Sequence, residues 1–278
     1  MATRTPASAE LTQRYGSLYG KLLHAAKFRH EISATLNLCA SCLTFPTEGL
    51  YNCLMRVLVY LGRSPNLGTT YDGKVQGAKV LKAYADANWS TTRSTSGCCF
   101  MLGGAAISTL CRRQHCITLS TCEAELYALA ECAIELLYLI SLLDFLGLPV
   151  EGPVEVFTDN KAAYDLCHRF TSAQHSKHID RKLYKMRELR GAGVVTVRHI
   201  SGEANPADLY TKVLGRDAFE KHRKFVLNLA GDTGAEFGKR SAVRSRGGKD
   251  VSIPRSSSSS SPPPAVEERA DALTASAP

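Results

Sequence analysis

Long uncharged apolar runs are missing from this sequence. The most apolar stretch, Ala133–Val150, is broken by Glu135 and Asp144, short of the roughly 20 apolar residues a membrane span requires. A secretory signal pattern is missing too, so the expectation is a chain with no membrane partner. Zinc-type ligand sets are also lacking. Of ten cysteines only Cys39 and Cys42 form a close CxxC pair, and no second pair completes the four ligands that zinc takes. The cysteines read as buried small hydrophobes in a reducing compartment. An acidic excess is absent as well. The 278 residues carry a net charge of +8, nearly all of it before residue 231, and a basic folded body suits a polyanionic partner.

What is present begins with one long helical segment. Ser120 followed by Glu123 has capping-box spacing, in which hydroxyl and carboxylate each satisfy a backbone N–H left free by the first turn. No Gly or Pro interrupts until Gly147 and Pro149. At roughly 100° per residue, Glu125 lines up with Ala128, Leu129, Cys132, Leu136 and Leu143, while Glu123 points away. A carboxylate on a core-facing stripe is costly unless it is paired or holds a cation. Glu125 is therefore either a rim residue reaching water past the helix end or a metal ligand.

Around this helix the pattern changes along the chain. Residues 1–10 read as a flexible lead. Residues 11–72 read as three helical pieces, Tyr15–Phe28, Ile32–Leu43 and Leu50–Leu61, the last preceded by Thr47. Short β-compatible runs follow at Val80–Ala87, Cys98–Leu102 and Ala106–Leu110, with Gly103-Gly104 as the turn of an antiparallel meander. His115–Leu119 leads into the long helix. Beyond it come a strand at Pro153–Thr158, a helix at Asp159–Cys167, a basic helix at Ser176–Arg190 and a strand at Val194–Ile200. Asn205-Pro206 then opens a helix with an N-cap and a first-turn proline. Strands first, then strand–helix–strand, imply a mixed α/β sheet with helices on its faces. A C-terminal helix is expected over 216–230. Residues 231–278, with the basic run Gly238–Lys249 and six serines before three prolines, have disordered-linker composition.

Four acids stand at element ends: Asp86, Glu125, Asp159 and Asp208. Each has an ordinary explanation. Asp86 suits a turn, Asp159 suits an N-cap, and Asp208 favours a helix dipole. Together they form a set that cannot all ionise without cations between them, and oxygen-only ligands suit Mg²⁺ or Mn²⁺.

The wording around these acids carries a resemblance. Arg93-Ser94-Thr95-Ser96-Gly97, Leu119-Ser120-Thr121-Cys122-Glu123-Ala124-Glu125, Thr158-Asp159-Asn160-Lys161-Ala162-Ala163, Lys177-His178-Ile179-Asp180 and Ala207-Asp208-Leu209-Tyr210-Thr211-Lys212 are similar, in order and wording, to the ribonuclease H domain of copia-type retrotransposon Pol polyproteins. The match spans about residues 79–215. The preceding helical segment resembles the part that joins this domain to reverse transcriptase. Tyr-x-Asp-Asp is absent, so the expectation is a piece of such a polyprotein without the polymerase. Asn88 departs from the pattern, standing where many relatives carry aspartate.

The resemblance implies a ribonuclease H-like mixed five-stranded sheet and Mg²⁺-dependent hydrolysis of the RNA strand of an RNA–DNA hybrid. Two metal ions ~3.5–4 Å apart serve such in-line displacement. By resemblance Asp86 bridges both ions, Asp208 holds the nucleophile side, and Glu125 with Asp159 holds the leaving-group side; Mn²⁺ is the alternative ion. His199 lies near the place of a histidine that assists turnover in the family. Ser120, Thr121 and Asn160 are candidates for contacting the 2′-OH that marks RNA, with helix capping as the competing role of the first two. Lys177, Arg181 and Lys185, spaced four apart, form a row that suits phosphates, with a solvated face as the other account. The implied partners are the hybrid and the reverse transcriptase of the parent polyprotein, and the implied location is a cytoplasmic virus-like particle or the nucleus. Two rivals remain: a catalytically inactive nucleic-acid-binding relic, and a transposase or integrase, whose late-helix Glu contrasts with the early Glu125 here.

Overall fold

The computed structural model describes residues 7–73, 80–168 and 177–229, with the side chains of 177–180 left aside. The tail expected over 231–278 lies outside the described residues. The first helix, α1 (Ala9–Ala25), already includes the end of the expected flexible lead. Ser8 starts it by accepting a 3.1 Å hydrogen bond from the Leu11 N–H, and Glu10 favours the first turn. Then come α2 (Ser33–Ala40) and α3 (Glu48–Arg63), the latter capped by Thr47, whose hydroxyl accepts from the Leu50 N–H. These helices close around Tyr15, Leu22, Leu36 and Leu54.

The sheet is built from β1 (Lys82–Asn88), β2 (Thr95–Leu102), β3 (Ala105–Arg113), β4 (Val154–Thr158) and β5 (Val195–His199). Its order is β3-β2-β1-β4-β5, antiparallel across β1, β2 and β3, and parallel across β1, β4 and β5. This is the mixed five-stranded sheet that the resemblance implies. The expected runs are shorter than β2 and β3 and slightly longer than β1, β4 and β5. β2 starts at Thr95 because Ser96 and Gly97 pair with Ala87 and Asp86, residues too small and polar to read as a strand from hydropathy. His115–Leu119 forms no strand; there Thr118 anchors the Trp89 indole N–H through its carbonyl and the Ser94 hydroxyl through its own.

The long helix α4 (Thr121–Phe145) crosses one face of the sheet, with α5 (Lys161–His168) and α6 (Lys177–Gly191) on the same side. Ala83, Ala85, Cys98 and Phe100 meet Leu126, Leu129, Cys132 and Leu136 there. Every residue from Ala124 to Ala130 is buried, more than the single expected stripe, because α6 covers what the sheet does not. By length and composition α4 is apolar enough to cross a membrane, contrary to the expectation drawn from Glu135 and Asp144. Half of its most apolar window is instead buried against the protein, as in the core helix of a folded domain.

The opposite face carries Cys99 and Met101, covered by α7 (Asp208–Thr211) and α8 (Arg216–Leu227) through Leu209, Tyr210, Val226 and Leu227. The helical lead is sewn to this face. The Tyr60 hydroxyl accepts from Arg223 at 3.2 Å and donates to Glu31 at 2.9 Å. The Thr70 N–H reaches the Leu227 carbonyl at 2.9 Å, and the Tyr71 hydroxyl reaches the Ala106 carbonyl at 2.8 Å. All ten cysteines are free thiols.

Candidate active site

Parallel pairing of β1 with β4 puts the C-terminal ends of both strands at one edge of the sheet, where open α/β sheets present their ligand sites. Asp86 stands near the end of β1 and Asp159 directly follows β4. Asp208 arrives from the other side as the first residue of α7. Two small-scale features hold it there. The fully buried Asn205 donates to the Ala85 carbonyl at 3.0 Å and accepts from the Ala207 N–H at 3.2 Å. Gly97, opposite Asp86 in the β1–β2 ladder, lets α7 lie against β2; a Cβ there would stand 2.5 Å from the Thr211 methyl and 3.1 Å from the Ala207 carbonyl oxygen.

Asn205 is therefore not the N-cap of a helix opening at Pro206. It ends the short 3-10 turn Gly202–Ala204, and the one-turn α7 begins three residues later, because the Asn205 amide is committed to β1.

One carboxylate oxygen from each of Asp86, Asp159 and Asp208 falls within a group whose members all lie within 4.8 Å of one another. Asp86 is 1% exposed. Its carboxylate accepts from the Thr211 hydroxyl and, at 3.2 Å, from Lys212 Nζ, which also donates to Asp208 at 2.6 Å. Glu125 is not part of that group; it is 6% exposed, with its Oε2 buried and without a hydrogen-bond partner among the described residues. Burial, then the charges of Asp86 and Asp159, push its pKa up to about 9, against a hydrogen bond from the Ala87 N–H. Burial and Asp86 likewise raise Asp159, and raise Asp208 to about 6. For Lys212 burial opposes the charge, but Asp86 and Asp208 more than offset it and its pKa is raised. Cation-seeking acids with an orphaned buried oxygen fit hard divalent ions such as Mg²⁺ or Mn²⁺.

The sign of the Glu125 shift gives an expected result. An acid with a raised folded-state pKa binds more protons folded than unfolded between about pH 4.5 and 9, so its contribution to stability falls as pH rises through that window. In chelator, Glu125→Gln melts close to wild type at pH 5 and several degrees higher at pH 8.5, at about 2–4 °C per kcal/mol. A gap that does not change between the two pH values refutes the assignment.

The remaining candidates distribute unevenly. Ser120 is occupied as the N-cap of α4, accepting from the Glu123 N–H at 3.1 Å, while Glu123 accepts from the Leu119 N–H at 2.7 Å. Thr121 is exposed at the first turn. Asn160 caps α5, its Oδ1 accepting from the Ala163 N–H at 2.9 Å. His199 is exposed at the end of β5 with Nε2 3.1 Å from the Asp159 carbonyl oxygen, so it touches the backbone of that acid. Arg181 is exposed on α6, Lys185 is half-buried and pairs with Glu188 at 3.4 Å, and the Lys177 side chain lies outside the described residues. Two further basic residues of α6 are structural: Arg187 and Arg190 donate to the Leu166 and Cys167 carbonyls at the end of α5. Lys212 and Gly97 were quoted in the motifs without a role. Lys212 had a signal, since it follows Asp208 by four residues on a helical turn.

No family model matches the chain. It is 32% identical over 216 residues, 76% of its length, to the retrovirus-related Pol polyprotein from transposon RE2 of Arabidopsis thaliana. It is 32% identical over 219 residues to the corresponding polyprotein from transposon TNT 1-94 of Nicotiana tabacum. The chain spans 15% and 16% of those relatives. Among solved structures it is similar to LC11-RNase H1, isolated from compost, at 20% identity over 51% of this chain and 97% of that one, with a TM-score of 0.38. With its acids at the edge of a mixed five-stranded sheet, the chain is homologous over 76% of its length to a part of retrovirus-related Pol polyproteins from copia-type transposons.

Proposed function

We propose that this chain hydrolyses the RNA strand of RNA–DNA hybrids in a reaction that depends on divalent cations, Mg²⁺ first and Mn²⁺ as substitute. The observation that carries the reading is the convergence of Asp86, Asp159 and Asp208 from three separate elements, with Glu125, one of whose carboxylate oxygens is buried without a partner, coupled to them. Bound by these acids, the ions supply Lewis acidity for in-line displacement at phosphorus. The protein's own part is positional. β1 and β4 fix two carboxylates by their parallel register, while Asn205 and Gly97 fix the third through α7. His199, at the solvent-facing rim and anchored on Asp159, is placed to exchange protons with departing product. Thr121, one helical turn before Glu125, and Asn160, next to Asp159, would contact the 2′-OH, and the exposed Arg181 with the half-buried Lys185 on α6 would contact the phosphates. Within a longer polyprotein, this activity serves alongside reverse transcriptase.

The test is direct. Purified chain is incubated with a hybrid labelled in its RNA strand, and separately in its DNA strand, with Mg²⁺ or with chelator. The expected result is RNA cleavage to 5′-phosphate and 3′-hydroxyl ends in Mg²⁺ alone, with the DNA intact. Tight hybrid binding without cleavage supports the inactive-relic reading instead, and cleavage that persists in chelator removes the metal from the mechanism.

A further inference from the structure

Lys212 is the only cation bonded to the acid cluster among the described residues. Its Nζ sits 3.2 Å from Asp86 Oδ1 and 2.6 Å from Asp208 Oδ1, bridging two carboxylates from different elements. The Asp86 side chain is 1% exposed and that of Asp208 15%, whereas the lysine remains 37% exposed. The two acids are thus held in the protein while the cation between them has an open side. Lys212 is the residue at which α7 stops, with φ −122° and ψ 152°, and its ammonium is a compact charge on a flexible four-carbon stem. A divalent ion that uses Asp86 and Asp208 competes with Lys212 for the same two carboxylates.

We propose that Lys212 is a resident counter-ion of this centre: it holds Asp86 and Asp208 together before metal binds, and each metal ion that enters must displace it. The inference rests on the metal-centre reading above and adds to it an internal competitor. Two opposed consequences follow. Lys212 stabilises the assembled acids without metal, since removing one partner of a buried pair leaves an uncompensated charge. Lys212 also weakens metal binding, because the incoming ion must first break two charge-assisted bonds. Lys212 is then a positioning residue whose cost is a higher metal requirement.

Mg²⁺ alone, without nucleic acid, is the probe. Titration calorimetry is run on wild type, Lys212→Met and, as a control for charge removed elsewhere, Lys221→Met; Lys221 bonds the Glu203 carbonyl at 2.7 Å, away from the acids. Lys212→Met is expected to bind Mg²⁺ about tenfold or more tightly than wild type, with Lys221→Met near wild type. Melting in chelator should show Lys212→Met less stable than wild type, with most of the difference restored by Mg²⁺. Should Lys212→Met not fold, Lys212→Gln keeps a hydrogen-bonding tip without the charge and carries the same expectation. Equal or weaker Mg²⁺ affinity in the folded Lys212 variant overturns the proposal while leaving the metal centre standing. Absence of Mg²⁺ binding in wild type and variants alike overturns the metal centre as well.

Discussion

Asp159→Asn is expected to lower hybrid cleavage by about a thousandfold while leaving the fold intact. The activity loss follows from removing one anionic oxygen from a set of three within 4.8 Å. A metal ion held there is worth several kcal/mol to the transition state, and each 1.4 kcal/mol is about tenfold in rate. The fold survives for a separate reason. Burial and the charge of Asp86 raise the Asp159 pKa, so its charge weakens the folded state at neutral pH and the amide relieves that repulsion. Circular dichroism melts in chelator should place the variant at or above wild type at pH 7. Cleavage near the wild-type rate by a folded Asp159→Asn protein ends the assignment.

The second large effect comes from a residue with no chemistry. Gly97→Ala introduces a methyl 2.5 Å from the Thr211 methyl carbon, 3.0 Å from Tyr210 Cβ and 3.1 Å from the Ala207 carbonyl oxygen. Backbone and fully buried Tyr210 surround it, so α7 must lift from β2. Overpacking of this kind costs about 1–3 kcal/mol, and the displaced helix carries Asp208 and Thr211, both tied to the Asp86 cluster. The expected outcome is a melting temperature lowered by several degrees and cleavage reduced at least a hundredfold, since an ångström of misplacement costs about that much. Unaltered cleavage in Gly97→Ala means that α7 does not need its close seat to present Asp208.

The two variants mark what could be read from residue order. Glu125 was legible because helical periodicity put it on a stripe with Leu129, Cys132 and Leu136, all of which are buried. Asp86, Asp159 and Asp208 were legible as acids at element ends, and the motif wording joined them. The sheet's existence followed from alternating runs, but its strand bounds did not, because Thr95, Ser96 and Gly97 pair without being apolar. The seating of α7 was hidden for the same reason. Only the three-dimensional approach of Ala207 and Thr211 explains why position 97 has no side chain. Asn205 looked like a cap from its neighbour Pro206, and its Oδ1 does accept from Ala207, but its Nδ2 donates to the Ala85 carbonyl, 120 positions away. Lys212 carried a local signal toward Asp208, but its bond to Asp86 spans 126 positions. Capping and periodicity are local and appear in sequence; long-range polar ties do not.

A recombination breakpoint after residue 70 and before residue 82 would part Tyr60 from the Arg223 guanidinium and the Thr70 backbone from Leu227. The inheriting sheet would keep α8 with a buried arginine bereft of its phenol, and the donor would keep Glu31 without the far end of its network. Such hybrids begin life destabilised, because a severed buried polar pair costs more than an apolar one of equal size. Shuffling among elements of this kind should therefore leave few descendants with crossovers at that joint. The helical lead and the sheet are thereby tied into one block, longer than the sheet and the helices packed on it.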